Sequence, residues 1–402
     1  MNIEKAASSR LPGFYSLPMG ERTKIAAKFS KLENSEQETL GECGALSKEL
    51  IDTFIENGVG SFSLPLGIAT NFLIDGRDRL IPMAVEESSV IAAASHGAKL
   101  ARYGGGFKTR SSDPIMTGQI QVYLDKNVDY DAILTAKKET LLTYANRGQN
   151  RLLARGGGAK DLTWHYIEEI ESLVLHLHIH TADAMGANIT NTMCEKLAKL
   201  LPDLLPNCDI GLRILTNLTD RRMACAECTI PPEAFSARRE EGLYVIERIT
   251  KAWAFAWHDP YRAATHNKGV MNGIDPVVIA TGNDWRAVEA GAHAYCCREG
   301  VYRPMTTWKT NAEGHLHGKI ELPMAVGTVG GVTKLHPTAQ VALKLLGNPN
   351  AQELAGILCS IGLAQNLSAL RALATEGIQV GHMNLHQKNL DILQQMEAAH
   401  IA

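Results

Sequence analysis

The sequence predicts an α+β fold in which a small ferredoxin-like unit is inserted into a larger domain. Residues 111–217 alternate in the order strand, helix, strand, helix, strand, which is typical of ferredoxin-like units. A glycine-rich break in composition at 102–114 precedes this region, and a different pattern resumes near residue 219. The sequence therefore predicts a discontinuous large domain over 1–110 and 218–376, with the small domain over 111–217.

Composition indicates a soluble enzyme rather than a nucleic-acid or membrane protein. The 402 residues are enough for two or three domains, and 45% hydrophobic with 21% charged residues is ordinary for such proteins. The net charge of −3 argues against binding to nucleic acid or an anionic membrane. No apolar run reaches the roughly 18 residues of a membrane span, and the N-terminus lacks the apolar core of a signal peptide. The eight cysteines are too irregular for a disulfide framework, so we expect a cytoplasmic location.

The first hundred residues predict a helix at 21–29, strands joined by turns at 56–72, and a strand from 77 that ends at two carboxylates. These carboxylates, Glu86 and Glu87, precede an alanine-rich helix. Acidic residues are favoured near a helix N-terminus, which explains one of the pair. The other is a candidate acid–base group.

The inserted region is assigned from its patterns of alternation and periodicity. Residues 119–124 alternate as a strand, 130–155 predict a helix closed by glycines, and 164–180 alternate again. A helix is predicted from about 183 to 200 and a last strand at 210–218.

The stretch 261–294 is the most unusual in the chain. Lys268 lies in a setting that is too rich in glycine and polar residues for an ordinary helix surface. A short apolar run at 277–280 predicts a buried strand or a buried helical turn, and Asp284 then opens a helix. A lysine held close to an aspartate can polarise a carbonyl oxygen. A surface lysine and a helix-capping aspartate remain the simpler alternative at this point.

Other motifs are less specific. No G-x-G-x-x-G or G-x-x-x-x-G-K-[ST] motif is present, so a standard Rossmann or Walker site is unsupported. The small residues of Asp-Ala-Met-Gly-Ala-Asn at 183–188 suit either phosphate binding at a helix N-terminus or a plain N-cap. Alternating histidines at 176, 178 and 180 and the single Cys-x-x-Cys at 225–228 are more typical of core residues than of a metal site, and we expect no metal. His382 follows a glycine and is a candidate mobile acid.

Five motifs in this order resemble 3-hydroxy-3-methylglutaryl-coenzyme A (HMG-CoA) reductases of the soluble bacterial class II. They are Val-Glu-Glu-x-Ser, Asp-Ala-Met-Gly-Ala-Asn, His-Asn-Lys-Gly-x-Met-Asn-Gly, Gly-Asn-Asp-Trp-Arg-Ala-Val-Glu-Ala and Gly-His-Met-x-Leu-His. The resemblance covers about residues 8–395. Each motif alone is weak, but the ordered set is specific.

This resemblance implies a role for residues in each motif. The catalytic residues that it implies are Glu87, Lys268, Asp284 and His382. The residues implied to bind the carboxylate and hydroxyl of the substrate are Ser89, Arg262 and Asn272. The residues in the nicotinamide-cofactor motif are Asp183, Met185, Gly186 and Asn188.

The resemblance also implies an architecture and an assembly. The large domain is expected to be helix-rich and to bind coenzyme A and substrate, and the small domain to bind the dinucleotide. A C-terminal helical flap is expected over 377–402, short or incomplete in this sequence. The implied assembly is a homodimer with the active site at its interface, which can extend to a hexamer. One departure lies near that contact, where the usual Glu-Asn-Val-Ile-Gly is Glu-Asn-Gly-Val-Gly at 56–60.

The implied reaction interconverts HMG-CoA with mevalonate and coenzyme A in two hydride transfers. Lys268 would stabilise each oxyanion, Asp284 would keep the lysine charged, and His382 would protonate the coenzyme A thiolate. Burial would raise the pKa of Glu87 so that it can carry a proton. A non-catalytic protein that binds coenzyme A or a nucleotide on the same fold is the alternative.

The cofactor is expected to be NADPH or NADH. The helix end around Arg147 carries three arginines and no acid, and arginine favours the 2′-phosphate of NADPH. We therefore expect NADPH to be accepted.

Overall fold

The computed structural model describes residues 8–43, 46–375 and 377. Its strands are β1 (Leu66–Ile74), β2 (Arg77–Ala84), β3 (Lys108–Ser111), β4 (Ile115–Tyr123), β5 (Gly158–Ile167), β6 (Ser172–His180), β7 (Asp209–Leu215), β8 (Met223–Ile230), β9 (Thr306–Thr310) and β10 (Leu316–Pro323). The helices of the first half are α1 (Met19–Ser30), α2 (Asn34–Gly41), α3 (Lys48–Phe54), α4 (Val90–Ala101), α5 (Tyr130–Asn146), α6 (Asn150–Leu153), α7 (Ala187–Ala198) and α8 (Leu201–Leu204). Those of the second half are α9 (Arg239–His258), α10 (Pro260–Ala280), α11 (Trp285–Cys296), α12 (Gly331–Leu335), α13 (Pro337–Leu345) and α14 (Ala351–Ala374).

The strands form three antiparallel sheets, and one of them belongs to a ferredoxin-like unit. This sheet has the order β5-β6-β4-β7, and α5 and α7 connect its strands. The element order β4-α5-β5-β6-α7-β7 with this strand order is that of a ferredoxin-like unit. It has a hydrophobic core of its own, built from residues between 120 and 210. The α+β prediction is confirmed, while the exact domain limits stay a prediction.

The larger part of the chain is built around α14. The sheet β3-β8-β10-β9 and the helices α4, α9 and α10 pack against this helix. Close approach at two crossings requires glycine: a Cβ on Gly97 of α4 would lie 2.0 Å from the Ala364 carbonyl oxygen, and one on Gly273 of α10 would lie 2.9 Å from that of Ile361. By length and hydropathy α14 would pass as a membrane span, but 72% of its apolar window is buried inside the protein. It is therefore a core helix.

Three sequence predictions of secondary structure were wrong. The stretch predicted as one alternating segment at 164–180 is a hairpin, with β5 and β6 joined by a turn. Residues 56–65 contain no strand, and β1 begins only at Leu66. The stretch around Lys268, which the sequence predicted to be unsuited to a helix surface, is helical, because α10 runs through Lys268. The same helix includes the apolar run at 277–280, so of the two alternatives given for that run the buried helical turn is the one observed.

Candidate active site

Two elements that are distant in sequence bring Glu87 and Lys268 together. Glu87 lies in the turn between β2 and α4, and Lys268 lies in the middle of α10. The Lys268 Nζ atom is 3.7 Å from Glu87 Oε2, and Ser89 donates a hydrogen bond of 3.1 Å from its hydroxyl to Glu87 Oε1. The pair therefore offers an ammonium group beside a carboxyl group that can exchange a proton.

The surroundings of this pair differ from the prediction in one respect. The side chains of Lys268 and Glu87 are 67% and 38% exposed, so the burial expected for Glu87 is absent in the single chain. Only a bound substrate or another subunit that covers the site would bury this carboxyl group.

Asp284 is not an ion-pair partner of Lys268 in the described part of the chain. It is the N-cap of α11, where its Oδ1 accepts a hydrogen bond of 3.1 Å from the Ala287 amide, and it is exposed. The simpler alternative, a helix-capping aspartate, is confirmed by this bond. The expected action of Asp284 on Lys268 stays a prediction. The carboxylate that lies near Lys268 is Glu87 instead.

The face of α10 that carries Lys268 also carries Asn272, four residues along. In a helix the amide at position 276 would donate a hydrogen bond to the carbonyl of Asn272, four residues earlier. Residue 276 is a proline and has no amide hydrogen, so this bond is not made. This leaves an acceptor on the backbone beside the amide side chain. At the start of the same helix the Asp259 side chain caps the Arg262 amide at 2.7 Å. Burial lowers the pKa of the half-buried Arg262 below its usual range, and it remains a cation at neutral pH.

A buried polar network supports α10 from below. His266 is 1% exposed, and its Nε2 lies 2.7 Å from the Thr306 hydroxyl. Burial lowers the pKa of His266 to about 3, so it is a neutral core residue. Thr306 and the Trp308 indole both donate to the Asn366 amide oxygen at 2.8 Å. These bonds join α10, β9 and α14, and the sequence alone did not single out any of these residues for this purpose.

A second network joins α10 to α11 through ionisable groups. The His293 Nε2 atom lies 2.6 Å from Glu289 Oε2, and its Nδ1 atom lies 2.6 Å from the Tyr302 hydroxyl. Glu289 also faces Asp275 of α10. Burial, a hydrogen bond with Glu289 and repulsion by it raise the pKa of Asp275 to about 8, whereas the hydrogen bond from His293 lowers the pKa of Glu289. At neutral pH the two carboxyl groups thus share one proton.

The Asp-Ala-Met-Gly-Ala-Asn motif forms a tight turn into α7. Ala182 and Gly186 both have left-handed backbone angles, with φ of 52° and 99°. No side chain caps α7, so the amides of its first turn keep their hydrogen-bonding capacity. Helix amides in this state bind phosphate groups, and the turn therefore fits the pyrophosphate of a dinucleotide.

Arg222 fixes this turn, and the sequence did not reveal it. The guanidinium is 4% exposed and donates to the carbonyl oxygens of Ala184 and Met185 at 3.2 and 2.9 Å. It also donates to the Thr181 hydroxyl at 3.0 Å and to the Val326 carbonyl. Burial lowers the pKa of Arg222 to about 10. Arg222 is the last residue of the loop before β8, and no local sequence pattern singles it out.

The predicted cofactor residues do not all lie together. The Asp183 carboxylate accepts from the Ala351 amide at 3.1 Å, which ties the turn to the start of α14. Asn188 is exposed in the first turn of α7, with Met185 and Gly186 in the preceding turn. Arg147 is exposed at the end of α5, and its carbonyl accepts from Lys196, ten residues beyond Gly186 and so roughly 15 Å along α7. A ligand that touched both would run along α7.

The predicted histidine, His382, lies outside the described residues. In the small unit, the ring nitrogens of His178 lie 2.9 Å from the hydroxyls of Thr117 and Thr163. No group of three or more potential metal ligands occurs among the residues that the structure describes.

Comparisons with known proteins agree with this arrangement of motifs. The family model described as hydroxymethylglutaryl-coenzyme A reductase matches residues 18–387. A 3-hydroxy-3-methylglutaryl-coenzyme A reductase of Archaeoglobus fulgidus is 49% identical over 395 residues, which cover 97% of this chain and 88% of that protein. A probable enzyme of the same name from Borreliella burgdorferi is 34% identical over 85% of this chain and 78% of its own length.

Solved structures show the same fold. The class II 3-hydroxy-3-methylglutaryl-CoA reductase of Streptococcus pneumoniae, bound to NADPH in open conformations, superposes with a TM-score of 0.87 and 40% identity. The match covers 90% of this chain and 99% of that one. A second structure of the enzyme from this organism has a TM-score of 0.88 and covers 95% of this chain and 91% of that one, with 41% identity.

Proposed function

The chain belongs to the hydroxymethylglutaryl-coenzyme A reductase family, and on that premise we propose how its residues interconvert HMG-CoA with mevalonate and coenzyme A. It is an NAD(P)-dependent oxidoreductase. The observation that carries the proposal is the Glu87–Lys268 pair, which joins an ammonium group and a carboxyl group from elements far apart in sequence. Bound nicotinamide supplies a hydride at each of the two reductive steps.

Lys268 is proposed to stabilise the negative charge on the substrate oxygen in both steps. Each hydride adds to a carbonyl carbon, first of the thioester and then of the aldehyde, and leaves charge on the oxygen. An ammonium aimed at that oxygen stabilises the transition state more than the ground state. The exposure of Lys268 leaves it accessible to a ligand.

Glu87 is proposed to deliver and recover the proton that the oxygen exchanges. It lies beside Lys268, and Ser89 fixes one of its oxygens through a hydrogen bond. Substrate binding would exclude water from the Glu87–Lys268 pair. Asp284 is proposed to act on the same site once substrate or a second subunit closes it, and His382 to protonate the leaving coenzyme A thiolate.

Arg262 and Asn272 are proposed to bind the substrate together with Ser89. In the part of the chain that is described, the Arg262 guanidinium has no carboxylate within 4.0 Å. An arginine in this state suits the free carboxylate of HMG-CoA, which it can bind through two parallel hydrogen bonds. Asn272 presents both a donor and an acceptor toward a hydroxyl.

The turn at 182–186 and the first turn of α7 are proposed to hold the nicotinamide dinucleotide, with Arg147 near its adenosine end. Support comes from the free amides of α7 and from the Streptococcus pneumoniae relative, whose structure contains NADPH. We propose that NADPH is accepted. A much higher kcat/KM with NADH than with NADPH would contradict that choice.

A homodimer with the active site at its interface is proposed as the working assembly, and the cytoplasm as its location. Support comes from a run of exposed apolar side chains that follows α3: Ile55, Val59, Phe62 and Leu64 are 54%, 103%, 92% and 36% exposed. Such a run on a single chain is typical of a surface covered by a partner.

Absorbance at 340 nm tests the proposal against a non-catalytic protein that binds coenzyme A or a nucleotide. Purified protein should oxidise NADPH when HMG-CoA is added, and should reduce the oxidised cofactor when mevalonate and coenzyme A are added. No change in either direction with either nicotinamide would favour the non-catalytic alternative. Rates in both directions would also establish whether synthesis or consumption of mevalonate is faster.

A further inference from the structure

A pocket of about 440 Å³ lies where the end of α1, the start of β2 and the end of α13 meet. Its charged lining residues are Lys31, Arg77, Asp78, Arg79 and Lys344. Arg79 lies near the start of β2 and Glu87 follows the end of this strand, so the pocket is separated from the Glu87–Lys268 pair by roughly 16 Å of strand. It is therefore a separate site.

Arg79 is the unusual member of this lining. Its side chain is buried, with 8% exposed, and among the described residues it has no carboxylate within 4.0 Å. The hydrogen bond that its guanidinium makes in that part of the chain goes to the Leu346 carbonyl, and its Nε atom is buried without a partner. Arginine is rarely buried unless it is paired, because removing the charge from water is costly.

The other charges at the pocket do not neutralise Arg79. Lys344 pairs with Glu36 at 2.7 Å and Arg77 with Glu353 at 3.4 Å. The one acid of the lining, Asp78, is held by Arg102 at 2.7 Å and by Ser9. Lys31, at the end of α1, is exposed and has no carboxylate within ion-pair distance in the described ranges. Among the described residues, neither Arg79 nor Lys31 thus has a carboxylate within 4.0 Å, and the carboxylates of Glu353 and Asp75 act on Arg79 only from farther away.

The end of α13 supplies only part of what Arg79 lacks. Leu346 is the C-cap of that helix, and an arginine beside the last carbonyls of a helix interacts favourably with its dipole. That contact uses one of five N–H donors and offers a partial charge, whereas a guanidinium can bind an oxyanion through two parallel bonds. An oxyanion bound between Arg79 and Lys31 would accept hydrogen bonds from both side chains and balance their positive charges.

We propose that this pocket is a binding site for a small oxyanion, the phosphate or carboxylate group of a metabolite, held by Arg79 and Lys31. The volume accommodates a ligand larger than one phosphate group, so the anionic group is the anchor of a small metabolite. Because α13 and β2 also border the large core, occupancy stabilises the folded large domain.

Calorimetric titration of the whole enzyme with inorganic phosphate, and separately with citrate, tests this site at constant ionic strength set with chloride. The two probes distinguish a phosphate from a carboxylate as the anchored group. Arg79→Gln and Lys31→Glu should each weaken binding of the preferred probe by about tenfold or more. Lys126→Glu makes the same charge change on an exposed loop after β4 and should leave the affinity unchanged.

Lys31→Glu keeps the test decisive if Arg79→Gln does not fold, since Lys31 is exposed. Phosphate bound at the sites for coenzyme A or the dinucleotide would not respond to either change. Two outcomes overturn the proposal. One is no saturable binding of either probe to the wild-type enzyme, and the other is an affinity that Lys31→Glu leaves unchanged.

Discussion

The ammonium of Lys268 meets the carboxylate of Glu87 at 3.7 Å, whereas Asp284 caps a helix. Asp284 has one observed role and one proposed role. It stabilises α11 by accepting a hydrogen bond at the helix N-terminus, and its negative charge is proposed to act in catalysis. Asparagine keeps the oxygen and removes the charge.

Asp284→Asn should separate these roles. We expect its unfolding free energy to stay within about 0.5 kcal/mol of wild type, because asparagine is as good an N-cap as aspartate. Its kcat should fall by about a hundredfold or more, since a charge acting on the transition state is lost. Asp284→Ala should lose the same activity and about 1 kcal/mol of stability besides. Kinetics and urea unfolding of both variants measure this, and an active Asp284→Asn would limit Asp284 to capping.

Arg222 is the residue on which the cofactor turn depends. Arg222→Met would leave the carbonyls of Ala184 and Met185 without their donor. We expect a loss of about 3 kcal/mol in unfolding free energy and a KM for NADPH raised at least tenfold, with a smaller change in the KM for HMG-CoA. Thermal unfolding and initial rates measure these quantities. Equal changes in the two KM values would mean that Arg222 supports the whole enzyme rather than the turn.

At the scale of elements, α10 shows how far the sequence could be interpreted. The N-cap at Asp259, Pro260 at the first position and the helix after Asp284 follow local rules. Glycine, asparagine and proline within 267–276 argue against a helix locally, yet α10 continues through them. Gly273 is required by contact with α14, a residue pairing about ninety positions apart that no local pattern contains. Propensity was overridden by packing.

The residues of the candidate site likewise fall into those that the sequence suggests and those that it does not. Glu87, Lys268 and Asp183 could be proposed from the sequence because each lies in a short motif whose residues are close together in the chain. Arg222 and Asn366 could not, since their bonds reach across 104 and 60 residues to Val326 and Thr306. Partners this far apart are defined only by the tertiary fold.

The carboxyl pair between α10 and α11 makes stability depend on pH. The folded pKa of Asp275, about 8, lies above its ordinary value of 3.8, so the native state holds a proton that the unfolded state releases in this range. The unfolding free energy should therefore fall as pH rises from about 4 to about 8 and level off above it. Asp275→Asn needs no proton and can still donate to Glu289. Urea unfolding at pH 5.5 and 8 should show a smaller pH dependence for the variant, and an unchanged dependence would contradict the shared proton.

For the molecule as a whole, the proposed homodimer would cover the exposed apolar run after α3 and the exposed Glu87–Lys268 pair. Phe62→Asp should shift the enzyme toward monomer in sedimentation experiments and reduce its activity, because a charge in an apolar interface is costly. Tyr123→Asp, on a strand of the small unit and 46% exposed, is the control and should change neither. A wild-type protein that sediments as a monomer at full activity would contradict the proposed assembly.

One ammonium, that of Lys268, is proposed to serve both hydride transfers. The most direct measurement is NADPH oxidation at 340 nm by wild type, Lys268→Ala and Lys268→Arg, with HMG-CoA and, separately, with mevaldehyde as substrate. We predict that Lys268→Ala loses at least about a hundredfold in kcat on both substrates while staying folded, because both steps place charge on the same oxygen. Arginine should not restore activity, since its planar group cannot take the place of a compact ammonium. Substantial turnover of either substrate by Lys268→Ala would contradict the claim.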